Sequence, residues 1–187
     1  MVRDVHEVDL KGSYIRSQDE RELMTQASFL RAFVAHEQFL EEAFVHYMMR
    51  GKSTRGWAPM CFSLAPSEEH ARKMLTGNAR FVDWSTPDTV RKFAKLHFYQ
   101  GEPFETVLSS AHSNLLDMKT LRNACAHLSS NTSDQLNALY SRHMGLAKPR
   151  VTPYELAMAL GPGSVESFMT SSLRIIEQAA DQIADFN

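Results

Sequence analysis

The sequence predicts an all-α protein: an up-and-down helical bundle built on long helices near residues 18–50 and 164–186, with shorter helices between them. Three observations carry that reading. Apolar residues recur at three- and four-residue steps over long windows. Those windows open on capping residues and close on glycines. No stretch reads as a strand.

In chain order, residues 1–16 read as a loosely held lead-in to a single domain spanning 1–187. Ser17–Glu20, "SQDE", is a capping box: the serine side chain meets a free N–H while the glutamate reaches back. The following helix carries Leu23, Ala27, Leu30 and Val34, then Phe33, Leu40, Phe44, Tyr47 and Met48, and Gly51 stops it. "GKSTRGWAPMCFSLAP" reads as a loop ending near Ser67, which opens a short helix to Gly77. Thr86 caps the next helix, with Pro87 at its first position, where the missing N–H costs nothing. "YQGEP" breaks it, and a helix from about Pro103 or Ser110 to Ser129 follows. "SSNTSD" interrupts the pattern, and Thr132 or Ser133 caps a helix that ends at Gly145. Thr152–Glu155, "TPYE", opens a short helix to Leu160, "GPGS" stops it, and a last helix closes the chain.

The chain has 187 residues and 43% hydrophobic content, enough for one substantial core. Its net charge of −2 argues against a general nucleic-acid coat, although a local phosphate site needs only local charge. Residues 119–150 hold five Lys/Arg against Asp134 alone, whereas residues 151–187 hold one against five acids. Windows this small fluctuate by several charges. Cys61 and Cys125 form no CxxC pair, so a reduced, cytoplasmic setting is expected. The N-terminus shows no apolar signal core, and no apolar run approaches the roughly 20 residues that span a bilayer.

Several chemistries find no support. The sequence has no GxxxxGK[ST], GxGxxG or HExxH, so no nucleotide cradle or zinc-protease helix is expected, and no cofactor or metal. Glu42 and His46 lie one helical turn apart and read as a solvated face rather than a metal site. Cys125 and His127 lie about 200° apart on a helix, so they make no catalytic pair, and Cys125 reads as a small buried side chain. His36 and His46 read as structural, and the ten Met and eleven Phe as core.

One stretch stands apart: "LRNACAH", Leu121–His127. Asn123 and His127 are four residues apart and share a face, while Arg122 and His127 lie about 140° apart on an ideal helix. A distorted helix end, or two copies meeting across a dimer axis, brings Arg and His together. Arginine grips phosphate oxygens, and histidine moves protons near neutrality, which suits attack of a ribose 2′-OH on phosphate without a metal. Ala124 and Ala126 leave room for a substrate or partner. On spacing alone the plainer reading is favoured: Arg122 a surface cation, Asn123 a surface amide, His127 a satisfied residue near a helix end.

The stretch resembles the signature of the HEPN superfamily, whose ribonucleases carry an arginine, often a following polar residue, and a histidine four to six positions beyond the arginine. "SFLRAFVAHEQFLEEAFVHYMMRG" also resembles the first helix of the RiboL-PSP-type branch. The resemblance implies an all-α domain with the motif late on a long helix. It implies a metal-independent endoribonuclease, with His127 as acid/base, Arg122 on the scissile phosphate, and Asn123 orienting His127 or the substrate. It further implies a homodimer with its motifs meeting in one cleft, an RNA substrate, and a role as a toxin or in phage defence beside an antitoxin or defence partner. Lys119, Arg142, Lys148 and Arg150 are candidates to line the cleft, and Glu37 and Glu41 are acidic candidates on the first helix. One branch has a tyrosine two residues after the histidine; here it is Ser129, so that branch's regulation is not expected. Two other expectations stand beside this one. A non-catalytic module of the same fold would bind RNA or protein, with the acidic last segment facing a basic partner. An enzyme with a small-molecule pocket inside the bundle is the third.

Overall fold

The computed structural model describes residues 5–9, 11–77, 79–127 and 129–187. The chain has the expected class, an all-α helical bundle. Among the described residues it forms α1 (Gln18–Met48), α2 (Glu68–Thr76), α3 (Pro87–His97), a 3₁₀ turn (Tyr99–Gly101), α4 (Phe104–Ser110), α5 (His112–Ala126), α6 (Ser130–Met144), α7 (Pro153–Met158) and α8 (Phe168–Ala184). Extended pairing among those residues is limited to three isolated bridges. No described helix is long and apolar enough to cross a membrane. The expected lead-in and the expected helix end near Ser129 fall partly on residues 1–4, 10 and 128, which lie outside the described residues.

The chain packs as two compact units. One comprises Met1–Val34 and Asp117–Leu173, the other Ala35–Leu116 and Arg174–Asn187. In the first, Phe29, Leu121, Leu136 and Leu156 are fully buried. The described part of the lead-in is anchored there. Val5 is buried, His6 stacks on Tyr154 with ring centroids 6.0 Å apart, and the Arg21 guanidinium lies 3.8 Å above the Tyr14 ring.

The second unit is organised around Phe44. Its ring centroid lies 4.8 Å from those of Phe98 and Phe104 and 5.6 Å from that of Trp84, so α1, α4 and the segments flanking α3 meet at one aromatic cluster. Tyr47, one turn on, donates its hydroxyl to the Ile183 carbonyl at 2.6 Å and ties α8 to α1. The expected core role of the phenylalanines and methionines holds in part: Phe44, Phe98, Phe104 and Met48 are inaccessible to solvent, but Met49, Met60, Phe62 and Phe81 are exposed.

Local signals placed most helix ends. Ser17 and Glu20 form the expected box, with Ser17 N–H donating to the Glu20 carboxylate at 2.8 Å. Thr152 and Glu155 form the other. Arg50 takes the left-handed turn at φ 62 after α1, and a Cβ on Gly51 would meet the ring of the exposed His46 and push it aside.

Four expectations change. Leu23 and Ala27 are exposed, as is Val34; the buried line of early α1 runs instead through Arg21, Thr25, Phe29 and Phe33. Of the two starts expected for the motif helix the earlier, Pro103, fails and the later, Ser110, lies close to the observed one: α5 begins at His112 and α4 stands apart before it, the break at Ala111 falling where the Ser110 hydroxyl donates to the Val107 carbonyl at 2.8 Å and competes with the helical ladder. Thr86 gives no side-chain cap to α3, because its hydroxyl donates to Asp83 at 2.6 Å. "SSNTSD" is mostly helix: Ser129 is the cap of α6, not Thr132 or Ser133.

Two outcomes follow for stability. Phe44→Ala leaves a hole at the centre of the aromatic cluster and should cost about 3–5 kcal/mol in urea unfolding. A loss below 1 kcal/mol would mean that the cluster does not organise this unit. His36 is buried, and burial pulls its imidazole down to about 4. The unfolded chain therefore takes up a proton first as pH falls from about 6.5. Stability is full above that pH and drops by about 3 kcal/mol towards pH 4. His36→Gln should flatten this part of the pH–stability curve; an unchanged slope would refute the assignment.

Candidate active site

The site is built where α5 gives way to α6, in the first unit. α5 ends at Ala126, yet His127 still closes its last turn, its N–H donating to the Asn123 carbonyl at 2.8 Å. The His127 carbonyl is in turn held by the Thr132 hydroxyl at 2.8 Å. That hydroxyl also accepts the Ser129 N–H at 2.8 Å, while the Ser129 hydroxyl accepts the Thr132 N–H at 3.2 Å. The caps of two helices thus meet on the backbone of His127. Its side chain is exposed, and among the described residues the imidazole makes no hydrogen bond. A histidine fixed by its backbone and open at its ring has the accessibility that proton transfer requires.

Arg122 and Asn123 are half-buried and joined directly, with Arg122 Nη1 donating to Asn123 Oδ1 at 3.2 Å. Asn123 therefore meets both partners of the motif, the arginine through its side chain and the histidine through its backbone. No hydrogen bond links the Arg122 guanidinium to the His127 ring. Ala126 is exposed as an approaching group needs, but Ala124 is only 1% exposed and belongs to the core.

The remaining candidates divide. Lys119 is half-buried on α5, one turn before Arg122 and Asn123. Arg142 is exposed and forms an ion pair with Asp117. Lys148 pairs with Glu155 at 2.6 Å, a bond that raises the lysine and lowers the glutamate from their ordinary pKa values. Arg150 is exposed, sits at φ 56 and makes no ion pair among the described residues. Glu37 and Glu41 belong to the second unit, where Glu41 pairs with Arg72.

Other chemistry at the site is weak. Burial pushes the Cys125 thiol up to about 12, so it is no nucleophile near neutral pH. Among the described residues no three His, Cys, Asp or Glu side chains gather as a metal would require. In the second unit His46 turns its Nε2 to the Lys52 carbonyl at 3.0 Å rather than towards Glu42.

The residues missed from sequence are Ser129 and Thr132, which position His127, and Asn137, whose Oδ1 accepts the Val151 N–H at 2.9 Å and fixes the segment after α6. The spacing of Ser129 and Thr132 is a serine followed three residues later by a hydroxyl acceptor, a variant of the capping box that was readable in "SSNT". Asn137 bonds fourteen residues away, and no local signal announces it. The sequence matches no protein-family model and no curated protein, and the structure matches no solved structure.

Ser129→Ala and Thr132→Ala should each cost about 1 kcal/mol through the lost cap, read by urea unfolding. The double variant should lose little more than either single one, since both remove one reciprocal motif. Full additivity would show that the two side chains act independently.

Proposed function

We propose that the chain is an endoribonuclease of HEPN type, cutting RNA by attack of a ribose 2′-OH on the adjacent phosphate. The observation that supports this reading most is the open imidazole of His127, held by its backbone between two helix caps beside the joined pair Arg122–Asn123. In the proposed reaction His127 takes the 2′-OH proton as the 2′-oxygen bonds to phosphorus. The bond from phosphorus to the 5′-oxygen breaks, and that oxygen receives a proton from an imidazolium. The products are a 2′,3′-cyclic phosphate and a 5′-OH, and no electrons change hands. Arg122 would stabilise charge building on the non-bridging oxygens. The reaction needs one base and one acid, so pairing two copies, each bringing a His127, would supply both at once.

A second reading has an observation of its own. Two of the cations expected to line an RNA cleft, Arg142 and Lys148, are occupied by Asp117 and Glu155. That suits a non-catalytic member of the same fold, binding RNA or a partner without cutting. A role beside an antitoxin or in phage defence belongs to either reading.

A cleavage assay on total tRNA and a mixed RNA pool, in EDTA, separates them. Wild type should cut to cyclic-phosphate ends, and His127→Ala should lose at least a hundredfold in rate while keeping its helicity and its mass in solution. A folded wild type that leaves every RNA intact, or a His127→Ala variant that still cuts, removes the nuclease reading.

A further inference from the structure

The second unit carries an exposed apolar face that its core does not explain. Trp57 is 61% exposed, Met60 68% and Phe62 61%, and Leu64, Leu96 and Tyr99 are exposed beside them. The segments carrying Met60, Phe62 and Tyr99 are bonded side by side: Tyr99 N–H donates to the Met60 carbonyl at 2.8 Å and Phe62 N–H to the His97 carbonyl at 2.9 Å. Between them Cys61 and Phe98 form an antiparallel bridge. Phe98 and the half-buried Cys61 point inward, Cys61 Sγ donating to the Tyr47 carbonyl at 3.3 Å. Strand alternation then sends Met60, Phe62 and Tyr99 to the opposite side.

This face is rigidly presented. Ser53 and Trp57 close a turn, with Ser53 N–H donating to the Trp57 carbonyl at 2.6 Å. Thr54 N–H donates to the Ala184 carbonyl at 2.9 Å, and the Ser53 and Thr54 hydroxyls bond Phe186 and Asp185. A loop held this firmly has no need of an exposed tryptophan for its own stability.

Three features point to what covers it. In this type of antiparallel bridge the central residue's own N–H and C=O point away from its neighbour, and those of Cys61 have no partner among the described residues. Residues 49–64 contain Arg50, Lys52 and Arg55 and no acid. Arg55 faces Glu102, Asp181 and Asp185 around an open cleft, but Arg50 and Lys52 are exposed and form no ion pair among the described residues. Arg50 is fixed at φ 62.

We propose that this face docks an extended acidic segment of a partner protein, which adds as a strand along Cys61 and seats its apolar side chains on Trp57, Met60 and Phe62. Other occupants fit less of the surface. A second copy, meeting face to face, would set Arg50 and Lys52 against themselves. Single-stranded RNA could stack on Trp57, Phe62 and Tyr99 but would leave Met60, Leu64 and Leu96 without a stacking partner and the Cys61 backbone unpaired. A bilayer offers no partner to the Cys61 backbone.

The test is panning of a displayed library of random ten-residue peptides against the full chain, followed by synthesis of the selected sequences. The selected peptides should alternate Asp or Glu with apolar residues. Trp57→Asp and Met60→Asp should each weaken them at least about tenfold, as should N-methylation of alternate peptide bonds. Lys52→Glu should weaken them while leaving both apolar contacts intact, which keeps the test valid where an Asp variant loses helicity. His127→Ala should bind as wild type does, so this result is separable from the nuclease reading. Selection of basic peptides, of none, or of peptides indifferent to these variants overturns the proposal. So does Met60→Asp abolishing self-association, polyuridine binding or binding to phosphatidylserine vesicles in place of peptide binding.

Discussion

The burial of one line along α1 constrains everything packed around it. That line runs Arg21, Thr25, Phe29, Phe33, His36, Leu40, Phe44, Met48, mostly in steps of four. An α-helix turns every 3.6 residues, so each step of four advances the line by about 40° and each step of three sets it back by about 60°. From Arg21 to Met48 the advance sums to roughly 180°. The buried line therefore winds half-way round the 31-residue helix; its residues up to Val34 belong to one unit and those from Ala35 to the other.

The same winding explains which parts of α1 were legible in the sequence. Its second half carries large apolar residues on the buried line, and the stripe Leu40, Phe44, Tyr47, Met48 reads directly. In the first half the line passes through Arg21 and Thr25, polar residues buried by their partners rather than by their type. Arg21 donates to the Arg16 carbonyl at 2.8 Å and lies over Tyr14, and Thr25 meets His6 at 3.3 Å. Leu23 and Ala27 then offer a rival apolar stripe that faces solvent. Hydrophobic periodicity cannot choose between them, because what buries Thr25 is a residue nineteen positions away. Helix ends were more legible because caps are local: Ser17–Glu20 and Thr152–Glu155 satisfy free N–H groups within a single turn.

Charge shows the same limit. The basic excess of residues 119–150 is real as a count, but two of its cations are answered by acids just outside that window, Asp117 before it and Glu155 after it. Glu155 also closes the cap of α7, so the bond to Lys148 anchors the segment after α6 as well as neutralising it. Folding turns a patch that reads as a phosphate-binding stripe into two ion pairs and an exposed Arg150. Any phosphate site in this unit must then draw on the motif itself more than on its surroundings.

That places weight on Asn123. In the sequence it lies between an arginine and a histidine that an ideal helix points apart, and its expected task was to orient the histidine or the substrate. In the structure its two oxygens meet different partners. Its carbonyl holds the His127 N–H, which lets the chain leave the helix without losing the last turn, and its side-chain oxygen holds one Arg122 nitrogen. A guanidinium has five N–H donors, and Asn123 engages one of them. The amide oxygen is neutral and exerts a weaker hold on the arginine than a carboxylate would. An aspartate at this position would bind the cation more tightly and carry a charge that repels phosphate. The asparagine makes its bond to Arg122 without adding a negative charge beside the cation.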